Sequence, residues 1–318
     1  MALDPILQQI VSQIPVPTSD EIDYDVMRNN MDGMIALFNG PDGPIEVASV
    51  ENLIVDDEGG QVPLRIFRPL TAPTGTLHLL HGGGWAFGSI DFIEPLARRL
   101  ARNLSMVVVA SGYRLAPENP FPAGVNDCLA AARWTMDHAA GLGGSENPLV
   151  IAGESAGANL AAVVALKLGE EGGKEGGRNF DAQLLFYPAV DLREESVSYP
   201  SRIANADPTL PTQILPQLMR DYCGSHDQAD PRISPITSDR LDAAPPAVIA
   251  VLKVDPLRDE AVAYADRLAE AGVEVALMEF DHLTHGFPNL SAVVPAAAEA
   301  TELVGQRLKT LLSRNIRG

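Results

Sequence analysis

The chain has 318 residues, 46% hydrophobic and 20% charged, a balance that supports a sizeable core and excludes an intrinsically disordered polymer. Its formal net charge of −19, from 42 Asp and Glu against 23 Lys and Arg, repels nucleic acid and anionic lipid, so neither is an expected partner. The simplest reading of that charge is a soluble, self-repelling surface, with salt adaptation as the alternative.

The opening MALDPILQQI has no basic residue and no long apolar core, so no secretory signal is expected. No stretch reaches the roughly 18 uninterrupted apolar residues of a membrane span, and a cytoplasmic location is the expectation. Ile6, Leu7, Ile10, Val11 and Ile14 recur at helical spacing, and the PVP of 15–17 ends that pattern. A second helix is expected over 20–38, with Asp20 near its start and Met27, Met34, Ile35 and Phe38 as apolar points. VENLIV (50–55) and VPLRIFRP (62–69) flank DDEGG, which reads as a hairpin.

Strands and helices then alternate. TLHLL (76–80), MVVVAS (106–111), PLVIAG (148–153), AQLLFYP (182–188), AVIAVL (247–252) and VEVALMEF (273–280) are short apolar runs rich in β-branched residues. Helical patterns occupy 92–103, 123–139, 156–170 and 257–271, and a last helix begins near Pro295. Such alternation predicts an α/β fold with a mostly parallel central sheet covered by helices on both faces. The stretch between 188 and 247 is too long for one crossover helix. Residues 195–225 therefore read as an insertion that joins residues 1–45 in a helical cap, with 46–194 and 226–318 as the core. Cys128 and Cys223 have no metal-like spacing and are expected as free thiols. The proline-rich LAPENPFP segment is expected to hold a cis X–Pro bond.

Ligands of open α/β sheets bind beyond the carboxyl ends of the strands, so motifs that follow strands matter most. GESAG (153–157) sits between a strand and a helix, the context of a nucleophile elbow with Ser155 at its apex. A serine hydroxyl needs a base. Of the later histidines, His226 borders the cap insertion and precedes the 247–252 strand, whereas His282 and His285 lie in DHLTHGF just after a strand. His285 is preferred because Gly286 lets the loop turn sharply. Asp255, at the end of the 247–252 strand, is the better candidate for the acid that orients it. Asp259 and Glu260 read as a helix-start pair facing the dipole or Arg258.

HGGGW (81–85) follows an early strand. Glycines there let the main chain approach a developing oxyanion, and each amide donor is worth about 2.7–4 kcal/mol of barrier. Gly83, Gly84 and the amide of Ala156 are the expected donors, with His81 bracing the loop. Trp85 either lines the substrate pocket or packs beneath the loop, and Glu154 is a second pocket candidate. No Gly-Lys-Ser/Thr follows the glycines, which disfavours phosphate binding.

HGGGW, GESAG, DPLRDE and HGF, in this order and together with YRLAPENPFPA (113–123), YP (187–188) and SPI (234–236), resemble the hormone-sensitive-lipase family of bacterial esterases over roughly residues 60–315. The resemblance implies an α/β-hydrolase fold with an N-terminal helical cap, hydrolysis of carboxylic esters without a cofactor or metal, and dimers as a common state. It also implies the triad Ser155, Asp255 and His285, with the HGGG glycines as oxyanion donors. Glu154 stands where the family more often has Asp or Thr, Asn119 where a His is common, and Lys253 and Val254 also depart. Short- to medium-chain esters are the expected substrates. Amides, lactones or acetylated small molecules are alternatives on the same triad, and a non-catalytic small-molecule receptor is the alternative from another class.

Overall fold

The computed structural model describes residues 3–13, 21–57, 59–142, 148–175, 179–205 and 207–315. The first helix, α1 (Pro5–Val11), is capped by Asp4, whose carboxylate accepts from the amides of Ile6 at 2.9 Å and Leu7 at 3.1 Å. α2 (Tyr24–Asn39) begins later than its apolar spacing predicts. Asp23 is its cap, accepting from the Val26 amide at 3.0 Å and so pairing a donor that the first turn leaves open. Ile14, the PVP of 15–17 and Asp20 lie outside the described residues.

β1 (Ser49–Asp57) and β2 (Gly60–Arg68) form the expected antiparallel hairpin. β3 (Thr76–Leu80), β4 (Val107–Ser111), β5 (Leu149–Glu154), β6 (Ala182–Phe186), β7 (Ala247–Leu252) and β8 (Val275–Phe280) complete an eight-stranded sheet ordered β1-β2-β4-β3-β5-β6-β7-β8. β2 pairs antiparallel with β4, and every pair from β4 to β8 is parallel. Strands β3 to β7 are buried along their whole length, as continuous apolar runs require when both faces are covered.

The covering helices present apolar stripes at helical spacing to the two faces of the sheet. α3 (Ile90–Leu104) buries Phe92, Ile93, Leu96, Ala97, Leu100 and Leu104 in one stripe, and Ser89 caps it through the Phe92 amide at 3.2 Å. α4 (Ala123–His138) and α5 (Ala156–Glu175) lie on the opposite face. The long connection after β6 carries two short helices, α6 (Pro200–Ala204) and α7 (Leu215–Cys223), before α8 (Arg258–Glu270) and α9 (Pro295–Asn315). Along β7, Ala247, Ile249 and Val251 join the core under α4, α5 and α8. Val248, Ala250 and Leu252 join the core under α3 and α9. Each buried Leu or Phe in these layers contributes about 1.5–3 kcal/mol before conformational entropy is counted.

The N-terminal and inserted helices meet above the strand ends. The Ile22 amide donates to Gln217 at 2.9 Å, and the Tyr24 hydroxyl donates to Asp221. Ile214 and Leu218 pack with Ala86 and Phe87, and Ile22, Tyr24, Met27 and Met31 close that cluster. Arg28 of α2 ties it down, reaching the carbonyls of Ala86 and Ala116 at 3.0 Å each and forming a two-pronged ion pair with Glu118. The Ala116–Pro117 and Phe121–Pro122 bonds are both cis. Cys128 and Cys223 are buried and unpaired.

Candidate active site

Four loops at the carboxyl ends of β3, β5, β7 and β8 converge. At the end of β5 the chain reverses into α5 so tightly that a Cβ on Gly153 would stand 2.2 Å from the Gly157 carbonyl oxygen. A Cβ on Gly157 would stand 2.3 Å from the carbonyls of Leu80 and His81 on the neighbouring strand end. Backbone at those separations admits only glycine. Between them Ser155 takes φ of 54°, a left-handed conformation that costs a non-glycine residue about 1–3 kcal/mol and must be held by its surroundings. Its amide donates to the Phe186 carbonyl at 2.9 Å and its carbonyl accepts from the Asn159 amide at 3.0 Å.

The serine hydroxyl lies 2.8 Å from Nε2 of His285, and Nδ1 of the same ring lies 2.7 Å from a carboxylate oxygen of Asp255. The other Asp255 oxygen accepts from the Leu257 amide at 2.8 Å. Ser155 and His285 are each 8% exposed and Asp255 is fully buried, so this chain of hydrogen bonds runs from a barely accessible hydroxyl into the interior. Burial pushes the His285 imidazole toward lower pKa. The Asp255 carboxylate and its hydrogen bond, with the charges of Asp207 and Glu154 behind them, outweigh burial and hold it above the ordinary histidine value. The Tyr187 ring, 4.3 Å away between centroids, packs on the imidazole.

The glycine loop after β3 is folded by its own main chain. The Gly83 carbonyl accepts from the amides of Ala86 at 3.1 Å and Phe87 at 2.8 Å. Gly83 has φ of 109°, and a Cβ there would stand 2.5 Å from the Phe87 carbonyl. Among the described residues no acceptor is recorded for the amides of Gly83, Gly84 and Ala156. The last of these opens α5, where the helix supplies no acceptor.

His81 stacks on Tyr113 with centroids 4.2 Å apart, and its Nδ1 lies 2.8 Å from the Gly82 carbonyl. Burial lowers its pKa to about 4, so the ring is a neutral brace near pH 7. Trp85 is buried beneath the loop. Its ring stacks on Tyr222 at 4.6 Å and its indole N–H donates to Asn159 at 3.2 Å. These contacts leave Trp85 4% exposed. Glu154 points a buried carboxylate across β5 to the Gly82 amide at 2.9 Å, locking the glycine loop to the elbow. Burial raises its pKa, against the pull of His285 and the Gly82 amide.

His78, His138, His226 and His282 lie away from the triad, and His138 stacks on Trp134 with its Nδ1 2.8 Å from the Trp134 carbonyl. His78 is buried on β3 between Thr135, 2.9 Å from Nδ1, and Ser111, 3.3 Å from Nε2, and burial lowers its pKa to about 3. His282 is exposed and its carbonyl accepts from the Asp4 amide at 2.9 Å. His226 is exposed and sets its ring against Phe121.

Two features depart from the sequence reading. Asp259 does pair with Arg258 at 2.6 Å, but Glu260 is not a helix-start surface carboxylate. It is fully buried, accepts from the Val190 amide at 2.9 Å, and pairs with Arg202 of α6, whose Nε is 2.9 Å away. The second is Asp207, which no motif marks. It is buried beside the site, and its carboxylate accepts from the His285 amide at 2.7 Å. Its only sequence signal is the Asp-Pro-Thr turn that it opens. Among the described residues no group of three His, Cys, Asp or Glu side chains is arranged to hold a metal ion, and no helix is long and apolar enough to cross a membrane.

Comparison with known proteins agrees with this architecture. A family model described as the α/β-hydrolase fold matches residues 77–289. The chain is 35% identical to carboxylesterase NlhH of Mycobacterium tuberculosis, over 94% of this chain and 93% of that protein. It is 32% identical to ethyl acetate hydrolase of Pseudomonas putida, over 91% of this chain and 90% of that one. The solved structure of a hyperthermophilic esterase from Pyrobaculum calidifontis superposes with a TM-score of 0.86 at 32% identity, covering 98% of this chain and 99% of the other. The glycine loop, the serine elbow and the histidine loop all fall inside the matched segment, and the chain belongs to the α/β-hydrolase fold family, in its hormone-sensitive-lipase-like group.

Proposed function

We propose that this chain is a serine carboxylesterase that cleaves short- to medium-chain acyl esters through an acyl-enzyme. The observation that carries the reading is the unbroken contact from Ser155 through His285 to Asp255, at 2.8 and 2.7 Å, starting from a serine on a left-handed turn. In the first half-reaction His285 Nε2 takes the hydroxyl proton as Ser155 Oγ bonds to the ester carbonyl carbon. The amides of Gly83, Gly84 and Ala156 receive the charge that develops on the carbonyl oxygen. His285 then returns its proton to the departing alcohol, leaving the acyl group on Ser155. Water repeats the sequence and releases the acid. Asp255 holds the imidazole with Nδ1 protonated and stabilises the imidazolium formed in each step.

The size limit rests on the helices α2 and α7, which meet above the glycine loop. Leu218 of α7 stands against the oxyanion loop, where a Cβ on Gly84 would be 2.8 Å from its Cδ1. Contacts of this kind leave little reach for a long acyl chain. The ester specificity is in keeping with the names of the relatives, carboxylesterase and ethyl acetate hydrolase. Two unpaired buried thiols support a reducing compartment such as the cytoplasm.

The test is a chain-length series of soluble chromogenic esters, with burst kinetics on the acetate. A burst of one alcohol per chain, abolished when an organophosphate labels Ser155, is the expected result. Absence of both burst and labelling would favour a receptor. Faster turnover of long-chain triglyceride emulsions than of acetate or butyrate esters would overturn the substrate range.

A further inference from the structure

The segment between α6 and α7 reaches down from the insertion and takes hold of both loops that carry the acid and the base. Asn205 donates from Nδ2 to the carbonyls of Lys253 at 2.9 Å and Asp255 at 2.8 Å, fixing the turn that presents the acid. Asp207 accepts the His285 amide on Oδ2 at 2.7 Å, and on Oδ1 the Thr209 amide at 2.9 Å and hydroxyl at 2.6 Å. The same Thr209 hydroxyl lies 2.8 Å from the His285 carbonyl, so its one proton is shared between, or alternates between, Asp207 and that carbonyl. Both main-chain polar groups of His285 therefore lie within hydrogen-bond distance of one short stretch of the insertion, 76 and 78 residues away in sequence.

We infer that Asp207 is a positioning residue for His285: its carboxylate fixes the backbone from which the imidazole projects and sets a second anion behind the base. The proposal rests on the reading of Ser155, His285 and Asp255 as the reacting triad. Two physical consequences follow. First, an imidazole displaced by a fraction of an ångström loses its alignment to both Ser155 and Asp255, and rate falls while ground-state binding does not. Second, the reaction creates an imidazolium, so each nearby negative charge favours the transition state over the resting enzyme. The groups facing His285 are Asp255 after β7, Asp207 from the insertion, Glu154 at the end of β5, and the Tyr187 ring after β6. Asp207 itself is held up in pKa by burial and by the charge of Asp255, while His285 and the donors from Thr209 and the His285 amide pull it down. The carboxylate accepts from these donors when ionised, so the charged form is the one that the hydrogen bonds match.

The same contacts tie cap to chemistry. The insertion that covers the site also aligns the base, so a loosened cap lowers turnover without any loss of a triad member.

The experiment compares Asp207→Asn, Thr209→Val and Thr209→Ser with the wild-type chain, each rate normalised to sites titrated by an organophosphate. In Asp207→Asn the shape is kept and the charge is lost. We expect kcat to fall about tenfold with KM within about twofold. The acid limb of kcat/KM reports His285 losing its proton. Removal of a neighbouring anion lowers that pKa, so the limb should move to lower pH by about half a unit. Thr209→Val should lose about threefold in kcat, and Thr209→Ser, which keeps the hydroxyl, should restore it. An unmoved acid limb in Asp207→Asn, or wild-type kcat in both Asp207→Asn and Thr209→Val, would overturn the proposal. If Asp207→Asn does not fold, Thr209→Val decides, and an unchanged kcat there overturns it. A Ser155→Ala control separates this from the triad reading: if that variant stays active, the triad reading has failed, whereas an inactive control beside an unaffected Asp207→Asn removes only the role of Asp207.

Discussion

Replacing Arg202 by Met should destabilise the protein in a pH-dependent way. Arg202 and Glu260 are 5% and 0% exposed, and the guanidinium is the only side-chain cation recorded against the Glu260 carboxylate among the described residues. Met roughly preserves the aliphatic volume beside Met219, so the main loss is the charge partner. One Glu260 oxygen would keep the Val190 amide, and the other would lose both guanidinium donors. Breaking a buried pair from one side costs about 3–5 kcal/mol, a large part of the roughly 5–15 kcal/mol that a folded domain has in hand. Burial already raises the pKa of Glu260 against the pull of Arg202, and without that pull it rises further. A folded-state acid with a raised pKa binds a proton that the unfolded chain has released above about pH 4.3. Stability of the variant relative to wild type should therefore decline by up to about 1.4 kcal/mol per pH unit once the pH passes the already raised folded pKa of wild-type Glu260, levelling off above the still higher folded pKa of the variant. Urea unfolding at pH 5 and pH 8 measures this, with the larger deficit expected at pH 8. Glu260→Gln in the Arg202→Met background should recover part of the loss, because no charge is left uncompensated. A deficit equal at both pH values, or a double variant no better than Arg202→Met, would refute the electrostatic account.

Ser155→Ala and His285→Ala should each lower kcat by about four to six orders of magnitude while leaving the unfolding free energy within about 1 kcal/mol of wild type, read by ester turnover per mole of protein and urea unfolding side by side. Asp255→Asn should lower kcat by about 10⁴-fold, because the amide offers Nδ1 of His285 the wrong tautomer; near-full activity in that variant would show the acid to lie elsewhere. Gly84→Ala should affect turnover more than stability. Its φ of 57° strains an alanine by about 1 kcal/mol, and the new methyl meets the flexible end of Leu218, whereas any tilt of the Gly84 amide weakens a donor worth about 2.7–4 kcal/mol; unchanged kcat would remove Gly84 from the oxyanion site.

The strands, the hairpin and the covering helices were legible in the residues because their causes are local. Short continuous apolar runs, helical stripes and glycines at a strand end act over a few residues. The sequence pattern alone therefore pointed to Ser155, Asp255 and His285, which the fold brings within hydrogen-bond distance of one another. α2 starts later than its apolar spacing predicts because the cap is Asp23, whose side chain accepts from the Val26 amide, a choice set by the turn geometry and not by the apolar pattern. Nothing near Trp85 in sequence reveals that Tyr222 stacks on it.

What only the tertiary structure decided concerns the insertion between β6 and β7, whose short helices and turns carry no sustained period. There Arg202 finds Glu260 and Asp207 finds the His285 amide, contacts that span 58 and 78 residues. A buried charge declares itself only through its partner, and at that separation the partner is chosen by the path of the folded chain.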